Sequence, residues 1–147
     1  MTSYTCIYDG DTSTYYAVYS LGPNVCGNPK VLHGGMTAAM LDETAGGLLQ
    51  SLKIEGQLKD LPTYTVHLGI QYLAMAPASQ VMVGSATLKS VEGRKIWVDI
   101  AMSDRHGPKK GTTYATAKAL FVYPRKSSVV GNVIGQTVRG AMSAIGL

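Results

Sequence analysis

The chain has 147 residues, 46% of them hydrophobic and 15% charged, with 13 Lys plus Arg against 9 Asp plus Glu for a formal charge of +4. That length suits one ordinary domain burying about two thirds of its unfolded surface, and the composition excludes extensive disorder. The positive excess is too diffuse for a nucleic-acid reader and fits at most an anionic small molecule.

The opening "MTSYTCIYDGDTSTYY" has no basic start followed by an apolar block, so a secretory leader is not expected. Cys6 and Cys26 are too few for a disulfide frame in a chain of this size, which fits a reducing, cytoplasmic setting. Residues 13 to 19, "STYYAVY", read as a strand. The Gly, Pro and Asn of "SLGPNVCGNPK" then make a loop. From Gly34 to about Leu52 a proline-free run of helix formers predicts a helix of about five turns. It is apolar enough to raise a membrane question, but Asp42, Glu43 and its glycines argue against a span.

After Pro62 four segments alternate or carry β-branched and aromatic residues, beginning at Thr63, Gln80, Lys95 and Thr112. Turn signals at Ala76-Pro77, Glu92-Gly93 and His106-Gly107-Pro108 divide them, and such short links predict antiparallel neighbours. The expected fold is α+β, a long helix inside the curl of an antiparallel sheet of five to six strands. The tail repeats Val129, Val130, Val133, Ile134, Val138, Met142 and Ile145 at helical spacing, weakened by three glycines. A single domain over residues 1–147 is expected, with its core at about 13–124 and a helical tail at about 127–147.

"HGGMTAAMLDETAGG", followed by "TYTVHLGIQYLAMAP" and "VEGRKIWVDI", resembles the PaaI-like and THEM4-like acyl-CoA thioesterases of the hotdog superfamily. The likeness runs from about Asn28 to Tyr123. It implies a helix wrapped by a sheet, with two subunits joined edge to edge. It also implies that Asp42 is the catalytic carboxylate, the Gly34 N–H the oxyanion donor with His33 and Gly35 beside it, and Thr65 the strand hydroxyl, seven residues before Tyr72. Asn28 stands one residue short of the asparagine that relatives carry upstream, and His67 replaces their acid or amide two positions after the hydroxyl.

The chemistry is consistent with these roles. Unpaired N–H groups at a helix start stabilise an oxyanion aimed at them. Asp42 comes eight residues after Gly34, about 12 Å along the axis, too far for both to act on one carbonyl from one chain. The helix start of one subunit is therefore expected to meet Asp42 of another, giving a homodimer or a dimer of dimers with equivalent sites. Asp42 acts as general base or attacks the thioester itself, while Thr65 holds the water or the carboxylate. Bland alternatives stand beside these: His33 as a helix cap, Thr65 as an ordinary strand residue, Arg94 and Lys95 as solvated turn residues and not contacts of coenzyme A phosphates. The acyl pocket is expected along the tyrosines of residues 15 to 19 and the tail.

His67 and His106 lack metal-ligand partners at useful spacing, so no metal is expected, nor a cofactor beyond the coenzyme A or phosphopantetheine of the substrate. The partner is an acyl thioester, free or on a carrier protein, with no nucleic acid or membrane. Rival readings are a hotdog-fold hydratase or dehydratase, for which "NPKVLH" gives a faint likeness, and a module that binds acyl thioesters without turnover.

Overall fold

A computed structural model describes residues 3–104 and 111–125, so the tail expected at about 127–147 and the His106-Gly107-Pro108 turn lie outside the described residues. Strands β1 (Ser3–Asp9) and β2 (Thr14–Ser20) lead through a short 3-10 turn at Pro23–Val25 into a small hairpin, β3 (Cys26–Asn28) and β4 (Val31–Leu32). Helix α1 (Gly34–Ile54) follows, then β5 (Tyr64–Tyr72), β6 (Val81–Glu92), β7 (Lys95–Ser103) and β8 (Thr113–Val122). Six strands form one antiparallel sheet in the order β1-β2-β6-β7-β8-β5, and α1 packs against its inner face, chiefly on β6, β2 and β7. This is the helix wrapped by a sheet that the hotdog resemblance implies. Among the described residues no helix is long and apolar enough to cross a membrane.

Alternation decides which side of each strand is covered. Ile96, Val98, Ile100 and Met102 of β7, and Ala115, Ala117, Ala119 and Phe121 of β8, are buried inward, while Lys95 and Lys118 stay exposed on the outer face. The helix answers with Thr37, Met40, Leu41, Thr44, Ala45, Leu48, Leu49 and Leu52, a face repeating at three and four residues. Each buried leucine of this face contributes about 1.5–3 kcal/mol of hydrophobic stabilisation. At Gly84 a Cβ would run into the Thr44 side chain, and at Gly47 into the Tyr15 ring, so the absence of a side chain sets how closely helix and sheet approach. Gly56, at φ +73, closes the helix by bonding its N–H to the Lys53 carbonyl.

Three features differ from the sequence reading. Ser3–Asp9, to which periodicity assigns no element, is an edge strand paired along its length with β2. The expected loop before the helix contains the β3–β4 hairpin. The expectation that every short link joins neighbouring strands fails between β5 and β6, which β7 and β8 separate. Three strand spacings are about 14 Å, and the eight residues Leu73–Gln80 reach about 26 Å, so the link crosses the end of the sheet with chain to spare. The link is pinned along the way: Leu73 and Ala74 donate N–H groups to the Tyr114 carbonyl, the Ala76 carbonyl accepts from Leu32, and the Gln80 carbonyl accepts from Leu21.

β5 is thus left at the sheet's edge, with Tyr64, Val66 and Tyr72 each at least 50% exposed. An exposed, apolar edge strand presents unpaired backbone groups ready to pair with another chain.

Candidate active site

His33 and two glycines, Gly34 and Gly35, begin the helix. His33 has extended backbone and is the N-cap, its Nδ1 accepting the Gly35 N–H at 2.9 Å. That bond uses the Gly35 amide and leaves the Gly34 N–H without an acceptor among the described residues. Gly34 is exposed, and its carbonyl accepts a hydrogen bond from the Tyr72 hydroxyl at 2.8 Å, tying the first turn to the end of β5. The 3-10 turn before β3 braces the other side, where the Val25 carbonyl accepts the His33 N–H at 2.9 Å.

Two turns along the helix, half-buried Asp42 accepts a hydrogen bond at Oδ1 from Thr65 Oγ1 at 3.0 Å. Its Oδ2 has no partner among the described residues. The contact depends on a β-bulge: the β5–β8 register shifts between Thr65 and His67, so Thr65 lies opposite inward-facing Phe121 and His67 opposite outward-facing Leu120. The His67 imidazole consequently folds over Gly69 on the outer face, away from Asp42. Glu43, next to Asp42 in sequence, is exposed.

Asp42 and Thr65 are therefore brought together, as are Gly34, Gly35 and His33. The two groups are held apart within one protomer, eight residues of helix separating Asp42 from Gly34, about 12 Å. Arg94 and Lys95 join neither. Lys95 is in register with Val122 and through it with Tyr64, at the end of the strands opposite Tyr72 and Gly34, and Arg94 Nη1 donates to the Tyr123 carbonyl at 2.9 Å. Asn28 is exposed at the turn end of the β3–β4 hairpin.

A cavity of about 370 Å³ opens beside Gly34, walled by β4, the first turn of α1, Tyr72, the crossing segment Leu73–Ala76 and Tyr114. Tyr15 and Tyr19 are not on its wall. They are buried at 6% and 2% exposure against the helix, so these two of the tyrosines expected along an acyl pocket do not line this cavity. The Tyr19 hydroxyl donates to the Met40 carbonyl and shares a second bond with Thr44 Oγ1, both at 2.9 Å, and burial pushes its pKa up to about 12. The sequence reading did not identify Tyr72, Leu73, Met75 or Tyr114 as site residues. Their one shared sequence signal is position, at a strand end, in the link after it and at the start of a strand three places away in order, and only the crossover brings them together. A larger hollow of about 780 Å³ lies on the sheet's outer face, around His67, Asp99 and Lys118. Neither Gly34, Asp42 nor Thr65 lines it, whereas Gly34 lines the smaller cavity.

A family model described as "Thioesterase superfamily" matches residues 29–110. The chain is 28% identical over 119 residues to the acyl-coenzyme A thioesterase THEM4 of Rattus norvegicus, covering 81% of this chain and 47% of that protein. It thus spans about half the length of the curated relatives it matches first. Among solved structures, the PaaI protein of the E. coli phenylacetic acid degradation operon superposes with a TM-score of 0.67 at 13% identity, over 83% of this chain and 80% of that one. A hypothetical thioesterase from Streptococcus pneumoniae TIGR4, solved with coenzyme A, gives 0.68 at 15% identity over 83% and 89%. At such identities the superpositions speak for the fold.

Proposed function

Because this chain belongs to the thioesterase superfamily, we propose that it hydrolyses acyl thioesters of coenzyme A, in sites that each combine the Gly34 amide of one subunit with Asp42 of a second. The observation that carries this reading is the pairing of a carboxylate held at one oxygen by Thr65 with an open amide at the helix start, the two too far apart to serve one carbonyl in cis. The exposed apolar edge strand β5, which carries Thr65 and Tyr72, supports a second subunit at this boundary. The resemblance of the chain to THEM4 supports coenzyme A as the carrier.

In the proposed reaction the thioester oxygen lies against the Gly34 N–H. Asp42 Oδ2 takes a proton from water as the water oxygen bonds to the carbonyl carbon, and the negative charge that develops on the former carbonyl oxygen is held by the amide and the helix start. Collapse breaks the carbon–sulfur bond, and the proton on Asp42 passes to the departing thiolate, giving a carboxylic acid and a free thiol with the aspartate restored. Direct attack by Asp42 to give an anhydride uses the same geometry, with water entering in the second step. Hydrolysis is favoured over the hydratase reading because His33 Nδ1 is occupied as a helix cap.

Asp42→Asn retains the shape of the side chain and removes the base. Thiol release is expected to fall by on the order of 10²–10⁴ with an unchanged circular dichroism spectrum; hydrolysis at the wild-type rate would rule out the assignment.

A further inference from the structure

The amide proposed to hold the oxyanion sits in a turn that its own residues restrain poorly. Gly34 and Gly35 are the first two helical residues. Glycine has the most conformational freedom to lose on folding, and the first turn of a helix has no intrahelical acceptors for its N–H groups. Three hydrogen bonds supply the restraint. The His33 carbonyl, in the same peptide group as the Gly34 N–H, accepts the Thr37 N–H at 3.1 Å. In the next peptide group the Gly35 N–H donates to His33 Nδ1 at 2.9 Å, and the Gly34 carbonyl accepts from the Tyr72 hydroxyl at 2.8 Å. A peptide group is planar, so a partner at each end fixes the orientation of its plane. The two bonds to His33 are internal to the helix start, whereas the Tyr72 bond ties it to the sheet.

Tyr72 is itself held in place. Its backbone is in register with Ala115 at the end of β5, and the Leu73 and Ala74 N–H groups that follow donate to the Tyr114 carbonyl. Its ring lies against Gly34, where an added Cβ would stand 3.7 Å from two ring carbons. β5 thus carries a hydroxyl donor for each chemical group of the helix, Thr65 for Asp42 and Tyr72 for the Gly34 turn. We propose that Tyr72 is a positioning residue of the oxyanion site: its hydroxyl holds the Gly34–Gly35 peptide so that the Gly34 N–H keeps its aim, and it acts on rate and not on substrate affinity. The inference rests on the proposed thioester hydrolysis and adds a residue to it. Oxyanion stabilisation depends on donors fixed before the charge develops, so a turn free to tilt weakens the transition state and leaves the bound thioester nearly unaffected. Tyr72 is 56% exposed, so water can replace its hydroxyl at the Gly34 carbonyl. What is lost without Tyr72 is the aim of the amide, not a partner for the carbonyl.

Tyr72→Phe keeps the ring against Gly34 and removes the donor. Thiol release from acetyl-, butanoyl- and octanoyl-CoA is measured for the unaltered chain and the variant, and exchange of the Gly35 and Thr37 amide hydrogens is followed by NMR. In the variant kcat is expected to fall about tenfold, by the same factor for every acyl group, with KM moved by less than about twofold and the circular dichroism spectrum unchanged. The two amides are expected to exchange about tenfold faster. Para-aminophenylalanine in place of Tyr72 offers an N–H donor where the hydroxyl stood and should restore most of the lost kcat. An unchanged kcat, a loss that appears in KM or grows with acyl chain length, or no recovery with the amino side chain would each overturn the proposal. So would unchanged amide exchange, which shows that Tyr72 does not hold the turn. Absence of thiol release from every acyl-CoA by the unaltered chain would overturn the proposed hydrolysis instead, and the exchange rates would still decide whether Tyr72 clamps the Gly34 turn.

Discussion

Thr65 and Asp42 are 23 positions apart in sequence, and they meet because the bulge after Thr65 turns its hydroxyl inward while sending His67 to the opposite face. A hydrogen bond to a charged group contributes about 1.5–3 kcal/mol, and here it holds one carboxylate oxygen and leaves open Oδ2, the atom that takes the proton in the proposed reaction. Thr65→Val keeps the side-chain shape and should cost about 10- to 100-fold in kcat, while Thr65→Ser restores most of the loss. Equal activity in the valine variant would remove Thr65 from the mechanism. Tyr19 gives a prediction on stability. Its folded pKa, raised to about 12 by burial, lies above the ordinary tyrosine value of 10.0, so the neutral phenol is the form the fold favours. The stability it contributes is complete below pH 10 and is lost as the pH rises toward about 12. Urea unfolding should show this alkaline decline in the parent chain and a shallower one in Tyr19→Phe; parallel declines would assign it to other groups.

At the scale of elements, the contact between α1 and β6 is governed by what is missing at Gly84. Adding side-chain atoms there forces Thr44 and its helix away from the sheet, and Gly84→Val should destabilise by at least about 1–3 kcal/mol, read as a lower urea midpoint; an unchanged midpoint would mean that the helix can move outward freely. Most of this architecture was legible in the sequence. The helix start at Gly34 and the strands near 13–19, 63–74, 80–91, 95–104 and 112–123 follow from apolar alternation and from glycine and proline punctuation. β1 was not legible, because an edge strand largely exposed on both faces has no burial to impose a pattern on its residues. The position of β5 was hidden for a different reason: link length limits how far a chain can travel but does not say which strand it joins. In the site, the family resemblance singled out Asp42, Gly34 and Thr65 as candidates, whereas the cavity wall is assembled by a crossover that no local signal encodes.

Across the whole molecule, the proposed chemistry requires two chains. Each protomer offers an amide without a base at one level of its helix and a base without an amide at another, with the apolar edge strand β5, open on one side, alongside. In the proposed arrangement, an edge-to-edge pair with antiparallel helices would complete two sites at once. Complementation between inactive variants tests this most directly. Gly34→Pro deletes the single N–H in question at the first helical position, where proline is tolerated, and Asp42→Asn deletes the base. Each variant alone should release no thiol. After the two are unfolded together and refolded in equal amounts, half of the dimers are mixed and each mixed dimer has one intact site, so about a quarter of the parent activity should return. If the mixture stays inactive although mixed dimers are demonstrated by mass, amide and carboxylate do not act across the subunit boundary, and the two-chain site is wrong.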